Sequence, residues 1–173
     1  MVQNHFLNVL FRKLLFMDVD KMDINSLKSQ FSKYKKDLLD LNKYMYENPE
    51  LGYQEIKSVN KITKLIKKHT ADAKFKKFTD IPTAFTASIN NKPRKKNIAI
   101  CIEYDALPNV GHACGHNLIS SIGLGAFFIL SNYINDLDYE IKLVKSSPVA
   151  LAPNSQNSSK TAIRGHHRAR SAA

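Results

Sequence analysis

The residues best suited to chemistry lie together in one short segment, residues 103–117. The segment reads Glu-Tyr-Asp-Ala-Leu-Pro-Asn-Val-Gly-His-Ala-Cys-Gly-His-Asn, and its reactive side chains are Glu103, Asp105, His112, Cys114 and His116. Cysteine thiolate, imidazole and carboxylate are the groups with which proteins bind zinc. This segment is therefore the strongest candidate for a reactive or metal-binding site.

Apolar segments on both sides of residues 103–117 predict how the site is held. The run 98–102 is short and apolar, as in a buried strand, and the segment 118–134 is apolar on almost every side, as in a buried helix. A strand that leads through a polar loop into a helix is where open α/β sheets place their binding sites. Residue types and spacing leave two interpretations open, a metal site or a tight turn with a buried thiol, because zinc motifs usually contain more than one ligand pair.

Two amphipathic helices are predicted before the site. Apolar residues recur every three or four positions from Asp23 to Met45 and again from Gln54 to His69, which is the spacing of a helix with one buried face. The pair Asn48-Pro49 ends the first helix, because a residue before proline avoids the α region. His69, at the end of the second helix, is expected to complement the helix dipole rather than to take part in catalysis.

Four strands are predicted, with the helix 118–134 between the last two. The strand-like runs are Lys74–Thr79, Ala84–Ile89, Asn97–Ile102 and Glu140–Val144. The last two strands and the helix between them predict a βαβ unit, for which a right-handed crossover is expected. The basic link 90–96 is predicted to be a turn, and Gly123 and Gly125 are expected to let the helix approach the sheet closely.

Composition is that of an ordinary globular protein and excludes several classes. The chain has 173 residues, 43% of them hydrophobic, and a mean hydropathy of -0.32, which suffices for one domain with a core. The net charge of +11 comes from lysines spread along the predicted helices and from a basic carboxy-terminal segment, without any nucleic-acid-binding motif. No apolar run reaches the ~20 residues of a membrane span. We therefore expect neither nucleic acid nor a membrane as a partner.

The cysteines and the amino terminus indicate the compartment. Two cysteines give no disulfide framework; Cys101 is expected to be a small core residue, and Cys114 a free thiolate if it binds metal. Residues 1–16 carry two basic residues in the middle of apolar ones, an order that does not match a secretory signal. An organelle presequence and a start at Met17 or Met22 are alternatives, and the favoured location is the cytoplasm.

Three regions follow from these patterns: an amino-terminal extension (1–22), a partial α/β domain (23–145) and a tail (146–173). The tail is rich in Ser, Ala, Asn and Pro and shows no periodicity. It is expected to be disordered, because such a segment buries too little apolar area to offset its ordering entropy. The pair His166-His167 lacks partner ligands and is not expected to bind metal.

Three sequence blocks resemble one known family. Residues 103–119, the block 48–55 (Asn-Pro-Glu-Leu-Gly-Tyr-Gln-Glu) and the block 81–85 (Ile-Pro-Thr-Ala-Phe) are similar to motifs of the amidohydrolase branch of the aminoacylase/carboxypeptidase family of two-metal peptidases. The blocks occur in the family's order, and the resemblance extends from about Lys35 to Val144. It implies an α/β fold, namely the amino-terminal part of an α/β/α metallopeptidase catalytic domain with a mixed sheet, here followed by a disordered tail.

The resemblance also implies a chemistry, the hydrolysis of an amide bond in a dipeptide or an N-acyl amino acid. In this family two divalent ions, zinc or manganese, share a water, lower its pKa and stabilise the oxyanion. Cys114 and His116 match metal ligands of the family, and Asp105 matches a residue that orients a ligand or the base. Glu103 lies where other branches have a metal-binding histidine. His112 is expected to be a hydrogen-bonding neighbour or a structural residue.

The sequence departs from the family pattern after residue 144. The family's general base and a further ligand are adjacent glutamates that follow the strand matching 140–144, whereas this chain reads Lys-Ser-Ser-Pro-Val-Ala at 145–150 and has no Asp or Glu after Glu140. The later histidine ligands and the dimerisation domain of this often dimeric family are missing too. We expect a truncated and inactive amidohydrolase or dipeptidase that holds at most one metal ion, weakly. The alternative is a non-catalytic interaction module that pairs with a complete paralogue.

Overall fold

The computed structural model describes residues 23–90 and 96–145, and in these residues it contains three helices and four strands. The expectations for the extension 1–22, for the tail 146–173 and for most of the basic link 90–96 concern residues outside this description. The part that is described contains all three sequence blocks and every candidate site residue.

The three helices occur where the sequence predicts them, two from their periodicity and the third from its apolar segment. They are α1 (Ile24–Glu47), α2 (Ile56–His69) and α3 (His116–Ser131). Helix α3 begins two residues earlier than predicted, at His116, because Gly115 adopts a left-handed conformation (φ 75°) that starts the helix there. It ends at Ser131 rather than at Ile134, and residues 132–136 form turns. The early start matters for the site, since it makes His116 a helical residue.

The four strands form one mixed sheet, as expected for this α/β fold. They are β1 (Lys74–Lys77), β2 (Phe85–Ile89), β3 (Asn97–Ile102) and β4 (Glu140–Lys145), in the spatial order β1-β2-β4-β3. The pairs β1–β2 and β2–β4 are antiparallel, and β3–β4 is parallel, in register from Asn97 opposite Glu140 to Ile102 opposite Lys145. The last strand in the sequence thus lies inside the sheet, with a neighbour on each side.

One face of the sheet forms the core with the helices. Buried and half-buried residues alternate along β2 and β4, so Phe85, Ala87, Ile141 and Leu143 all lie on the buried face. Helix α3 packs on β3 and β4, and α1 packs on α3. The core cluster joins this sheet face to apolar residues of all three helices, among them Leu38, Leu41, Met45, Ile62, Ile66, Leu124, Phe127 and Phe128.

Glycines let α3 approach its neighbours closely. A Cβ at Gly123 would lie 2.5 Å from Cγ2 of Ile102, so the prediction of close approach to the sheet is confirmed at this position. A Cβ at Gly125 would instead lie 3.1 Å from Cδ1 of Leu38 in α1. The prediction that Gly125 also faces the sheet is therefore wrong, because Gly123 and Gly125 are about 200° apart around the helix.

The opposite face and one edge of the sheet are open among the described residues. Strand β3 pairs with β4 alone, and Cys101 is exposed. The prediction that Cys101 is a core residue is wrong: it shares the face of Val144, whereas Ile100 and Ile102 face α3. Helix α3, which packs on β3 and β4, exposes three large apolar side chains, Leu118, Ile119 and Ile122. No described helix has both the length and the apolar character needed to cross a membrane.

Candidate metal site

The loop after β3 carries four of the five candidate residues, the fifth, His116, is the first residue of α3, and the loop is fixed to the block 48–55. Ala106 N–H donates a hydrogen bond to the carbonyl of Glu50 at 2.8 Å, and Leu51 forms an isolated parallel bridge with Ala106. Leu107 N–H and Gly111 N–H each bond the other residue's carbonyl, which closes a turn between them. Two sequence blocks that are about fifty residues apart therefore meet at the carboxyl end of β3, where open α/β sheets place their sites.

Glu50 anchors the block 48–55 by capping α2. Its Oε1 accepts from Lys57 N–H at 2.9 Å, and its Oε2 accepts from the backbone N–H and the hydroxyl of Ser58, both at 2.7 Å. A carboxylate at a helix N-terminus satisfies free backbone N–H groups and complements the helix dipole. This role was not predicted from the sequence, since Glu50 precedes the helix by six residues and standard capping patterns are shorter.

The imidazole of His116 lies between two of the candidate carboxylates. Its Nε2 is 3.2 Å from Oε2 of Glu103, and its Nδ1 is 3.2 Å from Oδ1 of Asp105 and 2.9 Å from the backbone carbonyl of Asp105. Because a carbonyl only accepts, Nδ1 must carry the proton in that hydrogen bond. In the neutral form with this hydrogen bond, Nε2 carries the lone pair and faces Glu103, and this is the form that can bind a metal ion.

The donor set around His116 fits a divalent cation in part. Two ligand atoms at about 2.0–2.1 Å from a tetrahedral zinc ion lie roughly 3.3 Å apart, and Nε2 of His116 and Oε2 of Glu103 are 3.2 Å apart. Oδ1 of Asp105 is buried and has no hydrogen-bond partner among the described residues. Over residues 23–90 and 96–145, however, no group of three or more His, Cys, Asp or Glu is arranged to hold a metal ion. The described residues therefore supply two neighbouring donors, fewer than a catalytic zinc site has.

Cys114 and His112 precede His116 in the same segment and have different environments. Cys114 is exposed, and the structure gives it no bond to the other candidates. His112 is buried, and neither ring nitrogen has a hydrogen-bond partner of normal geometry among the described residues. Burial lowers the pKa of His112, and the charge of His116 lowers it further, against a small opposing effect of Asp105 and the Met45 backbone. His112 is thus a neutral, buried neighbour of the site.

Helix α3 supports the site through a hydrogen bond of Ser120. The hydroxyl of Ser120 donates to the carbonyl of Glu103 at 2.5 Å, and Ser120 itself is fully buried. Asn117 donates to Asn42 of α1 at 2.9 Å, which ties the first turn of α3 to the first helix. Neither contact was predicted, because Ser and Asn in an apolar helix give no sequence signal for their partners.

The chain is similar in sequence to several curated hydrolases. It is 36% identical over 93 residues to the Xaa-Arg dipeptidase of Mus musculus, an alignment that covers 50% of this chain and 22% of the mouse protein. It is 29% identical over 103 residues to an N-acetyldiaminopimelate deacetylase of Oenococcus oeni, covering 51% of this chain and 27% of that protein. The chain therefore spans about a quarter of the length of these relatives. No model of a known protein family matches it.

Solved structures show the same fold. A dinuclear metal-binding peptidase of the M20 family from Bacillus subtilis superposes with a TM-score of 0.58 at 22% identity, over 68% of this chain and 35% of that protein. A protein described as a putative aminohydrolase from methicillin-resistant Staphylococcus aureus gives a TM-score of 0.60 at 21% identity, over 71% of this chain and 34% of that protein. These similarities confirm the fold class that the sequence blocks predict.

Proposed function

Because this chain is related to the amino-terminal part of the M20 amidohydrolases and peptidases, we propose that it carries one part of the metal site of such an enzyme. The observation that supports this most directly is the position of the His116 imidazole, 3.2 Å from Glu103 and 3.2 Å from Asp105. The substrate class that fits is a dipeptide or an N-acyl amino acid, by similarity to the dipeptidase and the deacetylase.

The proposal gives each site residue a role. His116 binds the cation through Nε2, Glu103 shares it, and Asp105 fixes the imidazole through its backbone carbonyl. Cys114, two residues before His116 and exposed, joins these ligands once a cation is present. A divalent cation in such a site supplies Lewis-acid polarisation of a carbonyl and a lowered water pKa.

The same proposal holds that residues 1–173 bind a cation weakly and do not hydrolyse amides. Glu103 and Asp105 both contact His116, and the sequence after Glu140 contains neither Asp nor Glu that would serve as the general base. Loss of a general base alone typically costs ~10²–10⁴-fold in rate. An incomplete ligand set lowers the rate further, because it acts on the same transition state.

Calorimetric titration with Zn²⁺ and Mn²⁺ tests the metal site. We expect one ion per chain with micromolar or weaker affinity, weaker binding in Cys114→Ser and none in His116→Ala. His69→Ala is the matched control, because His69 also contacts a carboxylate, at 2.6 Å, but lies between α1 and α2. Equal loss of binding in both histidine variants, or tight binding of two ions by the wild type, would contradict the proposal.

An activity assay tests the second part. With Zn²⁺, Mn²⁺ or Co²⁺ present, we expect no hydrolysis of dipeptides with a basic carboxy-terminal residue or of N-acyl amino acids. Metal-dependent turnover that disappears in His116→Ala would show that another residue acts as the base.

A second candidate function, a non-catalytic interaction module, is favoured by the open edge of β3. This strand has one neighbour in the described part of the sheet, and α3, which packs on it, exposes Leu118, Ile119 and Ile122. Size-exclusion chromatography of a mixture with a full-length Xaa-Arg dipeptidase tests this candidate. A complex that is lost in Ala99→Glu, on the edge strand, would support it, and independent elution of the two proteins would exclude it for this partner.

A further inference from the structure

A buried ion pair lies beneath the candidate site and is not explained by the proposed function. Lys145 Nζ is 2.6 Å from Oε1 of Glu55, and the two side chains are 1% and 0% exposed. The pair is out of reach of a substrate. Its charges also cost free energy to bury, and an apolar pair of similar volume is often at least as stable. A buried ion pair at this place therefore calls for a role other than stability.

Lys145 breaks the apolar pattern on the buried face of β4. Lys145 is the last residue of β4, and the buried residues before it on the same face are Ile141 and Leu143. Glu55 immediately precedes α2 and is fully buried as well. Its second oxygen, Oε2, has no hydrogen-bond partner among the described residues. Positions that break a local rule in this way are expected to serve a specific purpose.

The ammonium group of Lys145 also contacts Tyr104, the residue between Glu103 and Asp105. Nζ lies 4.9 Å from the centroid of the Tyr104 ring, within the range of a cation–π interaction. The phenol is fully buried and donates a short hydrogen bond to the carbonyl of Thr83. The Tyr104 ring is thus held at its face and at its tip.

A fixed Tyr104 ring fixes the backbone on both sides of it. Successive side chains of an extended backbone point in opposite directions, so the orientation of Tyr104 sets the directions of Glu103 and Asp105. The same stretch is held by Ser120, which donates to the Glu103 carbonyl, and by Ala106 N–H, which donates to Glu50. The Lys145–Glu55 pair is the charged part of this support, and it joins the end of β4 to the start of α2.

We propose that Lys145 and Glu55 are positioning residues that set the orientation of Glu103 and Asp105 around His116. This inference rests on the proposed metal site for its link to function. It assigns no chemical step to the pair, and it predicts that the geometry of the site depends on charges that neither touch His116 nor reach solvent.

The test uses Lys145→Met, Glu55→Gln and the double variant, with Lys36→Met as the matched control. Lys36 also forms an ion pair at 2.6 Å, with Asp40, but both side chains are exposed, at 86% and 61%. Affinity for Co²⁺ is measured by absorption titration on samples that circular dichroism shows to be folded. We expect a roughly 10–100-fold loss of affinity in each single variant, the range seen when residues that orient metal ligands are replaced, and no change in Lys36→Met.

The double variant separates positioning from stability. It leaves no unpaired buried charge, so we expect its urea midpoint to return towards that of the wild type while its Co²⁺ affinity stays low. Affinity that recovers together with the midpoint would overturn the proposal, because the pair would then act through stability alone. Unchanged affinity in folded single variants would overturn it too.

A second readout needs no metal and keeps the two proposals distinguishable. In the metal-free protein, the ¹⁵N shifts of the His116 ring and of the Glu103–Ala106 amides should move in Lys145→Met and Glu55→Gln, and should not move in Lys36→Met. If the wild type binds no cation, the proposed function fails while these shifts still test the positioning role. Unchanged shifts in the folded variants would show that the pair does not position the site.

Discussion

At the residue scale, one carboxylate of α1 outside the candidate site makes contacts with two basic side chains. Oδ2 of Asp37 lies 2.6 Å from Nζ of Lys68 and 2.6 Å from Nε2 of His69, both at the end of α2. The His69 ring packs edge-on against Tyr34, with ring centroids 5.1 Å apart. His69 lies in the last turn of α2, where a dipole role is expected, and it also joins α2 to α1.

Asp37→Asn should lower stability in a pH-dependent way. Hydrogen bonds from Lys68 and then from His69 hold the pKa of Asp37 below its ordinary value of 3.8. A lowered folded-state pKa means that this contribution is present above about pH 4 and is lost as the pH falls below 3.8 through the folded value. We expect a loss of about 1 kcal/mol or less at pH 7, since the pair lies near the surface, and none at the lowest pH where the chain stays folded.

Urea unfolding of Asp37→Asn at a series of pH values measures this difference. Asp40→Asn is the control, because Asp40 is an exposed carboxylate of the same helix that pairs with the exposed Lys36. A difference from the wild type that is constant over the whole pH range would contradict the assignment to the Asp37 carboxylate.

The contacts within the candidate site can be anticipated from the sequence better than the buried ion pair of Glu55 and Lys145. Glu103, Asp105 and His116 occur within fourteen consecutive residues, so the sequence marks their segment as the candidate site, and the structure brings the three side chains together. Glu55 and Lys145 are 90 residues apart in sequence. Both types are common on surfaces, and nothing local marks them as buried. The contacts of Cys114 as a ligand remain a prediction.

At the element scale, α3 lies close to β3 because residue 123 is a glycine and has no Cβ. The distance of 2.5 Å from a Cβ at Gly123 to the Ile102 side chain is shorter than atoms tolerate, and Ile102 is fully buried. Helix α3 also carries His116 in its first turn and Ser120 beneath Glu103. Its distance from β3 therefore affects the candidate site as well as the core.

Gly123→Ala should destabilise the chain although alanine favours helix. The gain in helix propensity is about 1 kcal/mol, and forcing an extra methyl group into a packed core costs about 1–3 kcal/mol. We expect a net loss of up to about 2 kcal/mol in urea unfolding. In Gly125→Ala the added methyl meets Cδ1 of Leu38, the far end of a flexible side chain, at 3.1 Å. That variant should be neutral or slightly stabilised, and equal losses in both would contradict this account.

The sequence predicts the elements better than their arrangement. Periodicity locates two helices, a long apolar segment locates the third, and strand-like runs locate all four strands to within two residues at each end. The order β1-β2-β4-β3 does not follow from these patterns. The antiparallel pairing of Thr86 with Val144 joins segments 58 residues apart, and such long-range pairs depend on packing rather than on local sequence.

At the scale of the whole molecule, one edge of the described sheet is a strand, β3, that lacks the usual features that prevent pairing with another chain. Strand β3 reads Asn-Ile-Ala-Ile-Cys-Ile and contains no charged residue or proline, the features that usually prevent pairing between edge strands. Helix α3, which packs on this strand, also exposes apolar residues. An edge of this kind favours pairing with another chain.

Ala99→Glu should reduce association of the chain with itself. Ala99 is exposed in the middle of β3 and lies opposite Lys142, so a glutamate there adds a charge at the edge without repulsion from its neighbour. We expect the wild type to show concentration-dependent association in sedimentation velocity and the variant to remain monomeric. Thr86→Glu on the interior strand β2 is the control and should associate like the wild type. A wild type that is monomeric at all concentrations would contradict the prediction.

The order of the strands also determines when the sheet can form during synthesis on the ribosome. Strand β4 is the neighbour of both β2 and β3, so no ladder connects the β1–β2 hairpin to β3 until Lys145 has left the exit tunnel. At roughly 5–20 residues per second, the interval between the emergence of Ile102 and of Lys145 lasts about 2–9 seconds. During this interval the nascent chain exposes the apolar sides of two separate strand units, and this is the stage at which it most needs a chaperone.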